Sequence, residues 1–335
     1  MRSAPVLSVV VPCYNEQDVL PITLPAIASE LEELERTGAI APGSRVLAVD
    51  DGSADDTWAV VSVLARSCPR VTGIRLSRNR GQQNALVAGL MESRGSCDAV
   101  ISIDCDGQDD ISAMGEMVAR YRDGYDVVYG VRANRDADGW FKRTSARAYY
   151  RLLAWLGADV VYDHADYRLI SAPVLEELSA FKEVNVYLRG LLPLVGFKSC
   201  EVAYDRAPRA AGSSSYSLGR MLALTLDGIT SLSIRPLRMI VAVGAVISVA
   251  SFAGIIWAVA TALLGNAVSG WASMICVVLL LGGFELVCLG VIGEYVGKTY
   301  LEAKGRPRYI VAERTGGPAP AGGDPDRASE GDSRL

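Results

Sequence analysis

The sequence contains very little histidine and no organised group of cysteines. Of its 335 residues only His164 is a histidine, and the 7 cysteines are scattered without a Cys-x-x-Cys spacing. These absences exclude a site built from several histidines and give no support to a zinc site or a disulfide framework. With a formal net charge of −5, the chain also lacks the basic excess of nucleic-acid-binding proteins, so we expect no nucleic acid among its partners.

Charge is missing from two long stretches near the C-terminus. No Asp, Glu, Lys or Arg occurs from Met239 to Leu264 or from Gly265 to Phe284. Each stretch contains an apolar run close to the roughly 20 residues that a bilayer requires. We therefore predict two transmembrane helices, at about residues 239–264 and 271–293. The alternative is a buried helical hairpin, although a helix in a soluble core normally keeps a polar face.

Lysine and arginine flank the two apolar stretches and are absent from the loop between them. Residues 265–271 carry neither, whereas Arg238 precedes the pair and Lys298 follows it. The positive-inside rule then predicts that both ends are cytoplasmic and that the short loop is outside. No secretory signal peptide is evident. We expect a multi-pass protein of the inner or plasma membrane, with the N-terminal domain and both termini cytoplasmic.

The N-terminal part lacks the glycine loops that cradle phosphates. Neither Gly-x-Gly-x-x-Gly nor Gly-x-x-x-x-Gly-Lys-Ser/Thr is present, so a phosphate ligand must be held by a metal and basic side chains. Short apolar runs alternate with helical segments, which predicts an α/β fold with a mostly parallel sheet. The predicted strands are residues 6–11, 45–49, 71–76, 99–103 and 126–129, followed by a short strand that opens at 166–168 and a strand-like segment at 198–204.

An acidic motif follows the fourth predicted strand. Asp104 and Asp106 lie two residues apart, so they point to the same side of extended backbone. Carboxylate oxygens suit Mg²⁺ or Mn²⁺, whereas the alternative is an acidic surface turn. Polar motifs also follow the neighbouring strands, and ligands of such sheets bind at the carboxyl ends of the strands. This convergence favours a metal-bound nucleotide diphosphate.

Five motifs together resemble the family-2 glycosyltransferases, and more narrowly the polyisoprenyl-phosphate glycosyltransferases, the dolichol-phosphate-mannose-synthase-like branch with two C-terminal transmembrane helices. The resemblance covers about residues 6–311. The motifs are Val-Val-Pro-Cys-Tyr-Asn-Glu at 10–16, Val-Asp-Asp-Gly-Ser at 49–53, Asn-Arg-Gly-Gln-Gln-Asn-Ala-Leu-x-Ala-Gly-Leu at 79–90, Asp-Cys-Asp-Gly-Gln at 104–108 and Gly-Glu-Tyr-Val-Gly-Lys at 293–298.

The resemblance implies a domain order. Residues 1–212 are expected to form a cytoplasmic nucleotide-sugar-binding domain of GT-A type. Residues 213–235 are an amphipathic segment in the membrane interface, and residues 236–297 hold the two-helix transmembrane hairpin. Residues 298–335 are a cytoplasmic tail, disordered from about residue 316.

The resemblance also implies the site. Asp104, Asp106 and Gln108 look like the ligands of Mg²⁺ or Mn²⁺, and Arg132 and Arg209 join the two carboxylates as catalytic residues. The nucleotide-sugar site is expected to include Pro12, Tyr14, Glu16, Val49, Asp51, Cys105, Gln108, Lys182 and Arg206. The implied reaction is an inverting transfer, with UDP-glucose as the best guess for the donor and a polyprenyl phosphate such as undecaprenyl phosphate as the acceptor.

Two alternative functions are left open. They are a non-catalytic nucleotide-sugar-binding membrane protein and a synthase that acts on a sugar hydroxyl. A hydroxyl acceptor needs a general base, and Asp109 is a candidate for that base, whereas a phosphate monoester is already largely dianionic at neutral pH.

The sequence departs from the usual family motifs at three places. The family usually has Leu where Gly107 stands, prolines where residues 109–111 stand, and Lys where Ser215 stands. Self-association of the chain is also left open.

Overall fold

The computed structural model describes residues 1–132, 164–183, 188–205, 235–263 and 271–315. The predictions for Arg206, Arg209, Ser215, most of the interfacial segment and the tail beyond residue 315 lie outside these residues.

One sheet organises the N-terminal domain, and eight of its strands lie within the described residues. They are β1 (Leu7–Cys13), β2 (Arg45–Asp50), β3 (Val71–Leu76), β4 (Ala99–Ser102), β5 (Val127–Arg132), β6 (His164–Ser171), β7 (Ser199–Tyr204) and β8 (Val311–Thr315). Their order across the sheet is β7-β5-β6-β4-β1-β2-β3-β8. The central strands β4, β1, β2 and β3 run parallel to one another. The prediction of a mostly parallel α/β sheet is therefore confirmed.

Two strands run against the others. β6 is antiparallel to β4 and to β5, which makes β5 parallel to β4, and β8 is antiparallel to β3 at the sheet edge. The carboxyl ends of β1 to β5 therefore lie along one edge of the sheet. This edge carries all the strand-end motifs that the sequence analysis singled out.

Helices cover both faces of the sheet, and the strand residues alternate between the two resulting cores. In the described part of this domain the helices are α1 (Leu20–Arg36), α2 (Thr57–Ser67), α3 (Gln82–Ser93), α4 (Ala113–Arg122), α5 (Ala172–Ala180) and α6 (Leu188–Val195). Val9 and Val11 of β1 pack with α1, α2 and α4, while Val10 packs with α3, α5 and α6. Burial on both faces explains why the central strands are mostly apolar in sequence.

Helix α3 packs unusually close to the sheet because Gly89 lies at the contact. A Cβ atom at this position would lie 2.3 Å from Val10 Cγ1 and 2.8 Å from Val49 Cγ2. Only glycine permits this approach, which brings the N-terminus of α3 to the strand-end edge beside β4.

Two long helices, α7 (Arg235–Leu263) and α8 (Trp271–Ala303), follow the described part of the sheet domain. By length and composition both helices are apolar enough to cross a membrane, and the apolar stretch of each is fully exposed in the structure. The alternative interpretation, a helical hairpin buried in a protein core, does not fit this exposure. Helix α8 continues to Ala303, beyond the predicted end of the second span at residue 293.

Strand β8 lies inside the predicted tail and was not predicted. It is an edge strand whose middle three residues are exposed, so it lacks the apolar run that revealed the central strands. Its partner β3 is encoded far upstream, and no local signal in the sequence connects the two.

Candidate active site

The exit loops of β1 and β2 are joined by backbone and side-chain hydrogen bonds. Asp51 N–H donates to the carbonyl of Cys13 (2.9 Å). Asn15 N–H donates to Ser53 Oγ (2.9 Å), and Ser53 N–H donates to Asp50 Oδ1 (3.0 Å). We call residues 50–53 the β2 turn. The two loops that carry predicted nucleotide residues are therefore held together as one hydrogen-bonded unit.

Asp51 holds the loop between β3 and α3 in place. Its carboxylate is buried, and its two oxygens accept the N–H groups of Arg80 and Gly81, each at 2.7 Å. Burial raises the pKa of Asp51, and these two N–H donors oppose the rise. The β2 turn itself depends on Gly52, whose φ is +65° and whose absent Cβ would lie 2.5 Å from the backbone carbonyl carbon of Arg78.

Asp104 lies just after β4 and faces the N-terminus of α3. Gln82 Nε2 donates to Asp104 Oδ1 at 2.8 Å. Burial, followed by the negative charges of Asp166, Asp109 and Asp106, raises the pKa of Asp104 to about 7. A carboxylate crowded by other carboxylates is stabilised in its charged form by a cation.

Asp106 is buried, and its Oδ1 accepts the N–H of Gln108 at 3.1 Å, which closes a tight turn. Gly107 in this turn has φ +69°, a region that a leucine rarely adopts. The departure from the family's usual Leu thus matches a backbone that favours glycine.

The residues that replace the family's prolines are tied to β6 and β7. Tyr204 OH donates to the buried Asp109 Oδ1 at 2.6 Å, and Tyr167 OH donates to the carbonyl of Asp110 at 3.1 Å. The two tyrosine rings pack edge to face, with centroids 5.2 Å apart. Asp109 is therefore engaged in holding this loop, which argues against its use as a general base.

A second charged cluster, not predicted from the sequence, lies beside Asp104. Asp166 and Arg168 of β6 form a buried ion pair, and Arg189 Nε of α6 lies 3.2 Å from Asp166 Oδ1. Gln83 Nε2 donates to Asp166 Oδ2 at 3.4 Å, while the adjacent Gln82 contacts Asp104. Burial acts to raise the pKa of Asp166, but Arg168 and then Arg189 outweigh it, so its pKa is lowered. The sequence signal was two opposite charges spaced two apart in an otherwise apolar strand.

The remaining predicted residues differ in how closely they approach this site. Arg132 ends β5, and its charge lowers the pKa of Asp166; its Nε is buried without a hydrogen-bond partner among the described residues. Lys182 is exposed after α5, and no described hydrogen bond or ion pair joins it to Asp104 or Asp106. Pro12, Val49 and Cys105 are buried, Glu16 and Gln108 are half-buried, and Tyr14 is exposed.

The donor set after β4 fits a hard divalent cation with few protein ligands. Among the described residues, no group of three or more His, Cys, Asp or Glu side chains is arranged to hold a metal. Mg²⁺ is commonly held by one or two carboxylates, with water and substrate phosphates completing its shell. Asp104 and Asp106 therefore suit a cation that arrives with a diphosphate.

The sheet and its acidic edge define a GT-A-type glycosyltransferase domain, and comparison with known proteins agrees. Residues 8–179 match the profile described as "Glycosyl transferase family 2". The chain therefore belongs to glycosyl transferase family 2, and it is a glycosyltransferase.

Several known proteins are similar to this chain over most of its length. An uncharacterized glycosyltransferase of Bacillus subtilis, YkoT, is 44% identical over 92% of both chains. A "prophage bactoprenol glucosyl transferase homolog" of Escherichia coli is 36% identical, over 91% of this chain and 98% of its own. The bactoprenol glucosyl transferase of Shigella phage SfX is also 36% identical, over 92% of this chain and 99% of its own.

Proposed function

We propose that the protein transfers a sugar from a nucleotide diphosphate sugar to a polyprenyl phosphate, with inversion, and that UDP-glucose is the donor. The names of the Escherichia coli and Shigella phage relatives support both the glucosyl group and the polyprenyl acceptor. We further propose that the acceptor lies in the membrane that α7 and α8 enter, with the sheet domain on the cytoplasmic face.

The carrying observation is where the chain returns to the sheet after α8. Val311, the first residue of β8, pairs with Leu76 at the end of β3. The chain that leaves the second apolar helix therefore joins the sheet at the edge that carries Asp104 and Asp106. A membrane-anchored acceptor suits a site at this edge better than a soluble sugar does.

Asp104 and Asp106 would hold Mg²⁺ or Mn²⁺, which neutralises the diphosphate leaving group. The chain's own arginines have the complementary task of receiving the acceptor phosphate. Arg189, which contacts Asp166 of β6, has a side chain that is one-third exposed. Arg132 is the last residue of β5, the strand that pairs with β6. Arginine offers bidentate hydrogen bonds to phosphate oxygens, so these two side chains would bring the anionic nucleophile to the donor.

No side chain needs to remove a proton in this reaction. The second pKa of a phosphate monoester is about 6, so the acceptor is already nucleophilic at neutral pH. This agrees with the engagement of Asp109 by Tyr204. On the donor side, we propose that Tyr14, Glu16 and the β2 turn bind the nucleotide.

A donor screen tests the proposal. Purified protein in detergent is incubated with undecaprenyl phosphate, Mn²⁺ or Mg²⁺, and each common nucleotide sugar in turn. The lipid product is identified by mass spectrometry. We expect a hexosyl-phosphate-lipid from UDP-glucose and none from an Asp106→Asn variant. Absence of product with every donor, in protein shown to be folded, would contradict the proposal and favour a non-catalytic role.

A further inference from the structure

Strand β8 does more than cover the edge of the sheet, because it contacts the segment that leads into the predicted nucleotide site. Its pairing with β3 is extended by Ser77 N–H, which donates to the carbonyl of Ile310 at 2.9 Å. Ser77 begins the loop whose later residues, Arg80 and Gly81, donate to Asp51. The C-terminal strand thus lies alongside the start of an active-site loop.

Glu313, in the middle of β8, contacts two elements at once. Its Oε2 accepts the indole N–H of Trp58 at 2.9 Å, and its Oε1 accepts a hydrogen bond from Arg75 at 3.0 Å. Trp58 belongs to the first turn of α2, and Arg75 belongs to β3. Glu313 therefore links the helix that follows the β2 turn in the chain to the strand that pairs with β2.

Arg75, which contacts Glu313, also contacts two residues of the β2 turn. Its NH2 group donates to the carbonyl of Ser53 at 3.4 Å. Its Nε lies 3.3 Å from Asp50 Oδ2, an ion pair without hydrogen-bond alignment. Asp50 is fully buried and its other oxygen accepts Ser53 N–H, so Arg75 supplies the positive charge beside a buried carboxylate.

We propose that β8 is a brace for the β2 turn, and that Glu313 is a positioning residue for donor binding. Glu313 orients Arg75, and Arg75 stabilises the Asp50 carboxylate and the Ser53 carbonyl in the geometry that receives the nucleotide. The inference rests on the proposed function, because it takes the β2 turn as part of the nucleotide site. Since β8 follows α8 closely in the chain, the brace connects the second apolar helix to the donor side of the site.

A matched control lies on the next residue of the same strand. Arg314 forms two hydrogen bonds with Glu92 of α3, at 2.8 and 3.1 Å. Glu92 is near the C-terminal end of α3, away from the β2 turn. An Arg314→Ala variant therefore weakens the docking of β8 without touching Arg75 or Trp58.

The test compares nucleotide binding by the full-length protein and its variants, with UDP and Mn²⁺ as the probe in titration calorimetry. Half-exposed ion pairs of this kind carry modest energies, so we expect Glu313→Ala to weaken UDP binding about five-fold. Arg314→Ala should change it by less than about two-fold. With UDP-glucose as substrate, Glu313→Ala should raise KM for the donor and leave KM for the lipid unchanged. An Arg75→Ala variant should add little further loss when combined with Glu313→Ala, since the two act through one contact.

The comparison of the two variants tests the brace directly. Thermal unfolding of both variants first establishes that each is folded. Equal weakening by Glu313→Ala and Arg314→Ala would show that β8 contributes only to stability, and no weakening by Glu313→Ala would show that the turn is independent of it; either result overturns the brace. Failure of the parent protein to bind any nucleoside diphosphate would instead overturn the proposed function, and the brace with it.

Discussion

The buried pair of Asp166 and Arg168 provides a quantitative test of the site's architecture. The side chain of Arg168 is 1% exposed and that of Asp166 is 8% exposed. Removing one partner of a buried pair typically costs about 3–5 kcal/mol, because the other charge is left buried and unpaired. Arg189 remains 3.2 Å from Asp166, so an Arg168→Met variant should fall at the lower end, near 3 kcal/mol.

The assay is thermal unfolding of the detergent-solubilised protein. For a domain of this size, about 3 kcal/mol corresponds to a fall in Tm of about 6–12 °C. Asp166→Asn should cost more than Arg168→Met, because it leaves the less exposed group without its counter-charge. The double variant should be less destabilised than the sum of the single ones by at least about 1 kcal/mol.

An exposed ion pair supplies the control. Arg36 and Glu33 form a surface pair on α1, with side chains 71% and 52% exposed. Arg36→Met should leave Tm unchanged within error, because such pairs contribute little. If Arg168→Met lowers Tm no more than Arg36→Met does, then the pair is not the buried, mutually dependent unit described above.

Three further predictions concern the metal site and the packing beneath it. Asp106→Asn should abolish sugar transfer while expression and membrane insertion stay normal, and normal turnover would contradict the metal assignment. The pKa of Asp104 is raised to about 7, so the proton competes with the cation up to that pH. Mn²⁺ affinity should therefore rise as the pH increases through the pKa and level off about one unit above it, and a pH-independent affinity measured by titration would contradict this. Gly89→Ala should lower the free energy of unfolding by about 1–3 kcal/mol through overpacking against Val10. Gly115→Ala, whose added Cβ would meet only Leu34 Cδ2 at 3.4 Å, should raise it by about 0.5 kcal/mol. Urea unfolding of the two variants measures both changes.

Much of the sheet could be predicted from the sequence because its strands are buried on both faces. A mostly apolar run such as Leu7–Cys13, which is buried throughout, is typical of a strand inside a parallel sheet. The order of the motifs along the chain then places them on one edge by the geometry of parallel sheets alone. The carboxylate pair Asp104 and Asp106, which we propose as the metal ligands, was singled out for the same reason, since it directly follows such a run.

The parts that the sequence did not reveal depend on contacts between distant segments. Glu313 is an ordinary exposed acid until β8 pairs with β3 and brings it to Arg75. Asp166 and Arg168 read as a polar face of a strand, yet both are buried because Arg189 and Gln83 come from helices packed over them. The backbone bonds that occupy Asp51 follow from the conformation of residues 79–81, which no residue-type pattern specifies.

The central claim is that the acceptor is a lipid phosphate, and the most direct test compares two acceptors that differ only in that group. Undecaprenyl phosphate and undecaprenol would be supplied in turn, in the same detergent, with UDP-glucose and Mn²⁺, while nucleotide release and lipid mass are followed. The account predicts glucosyl-phosphate-lipid from the phosphate and no product from the alcohol, since arginines are present for an anion and the candidate base Asp109 accepts a hydrogen bond from Tyr204. Product from undecaprenol at a comparable rate would contradict it.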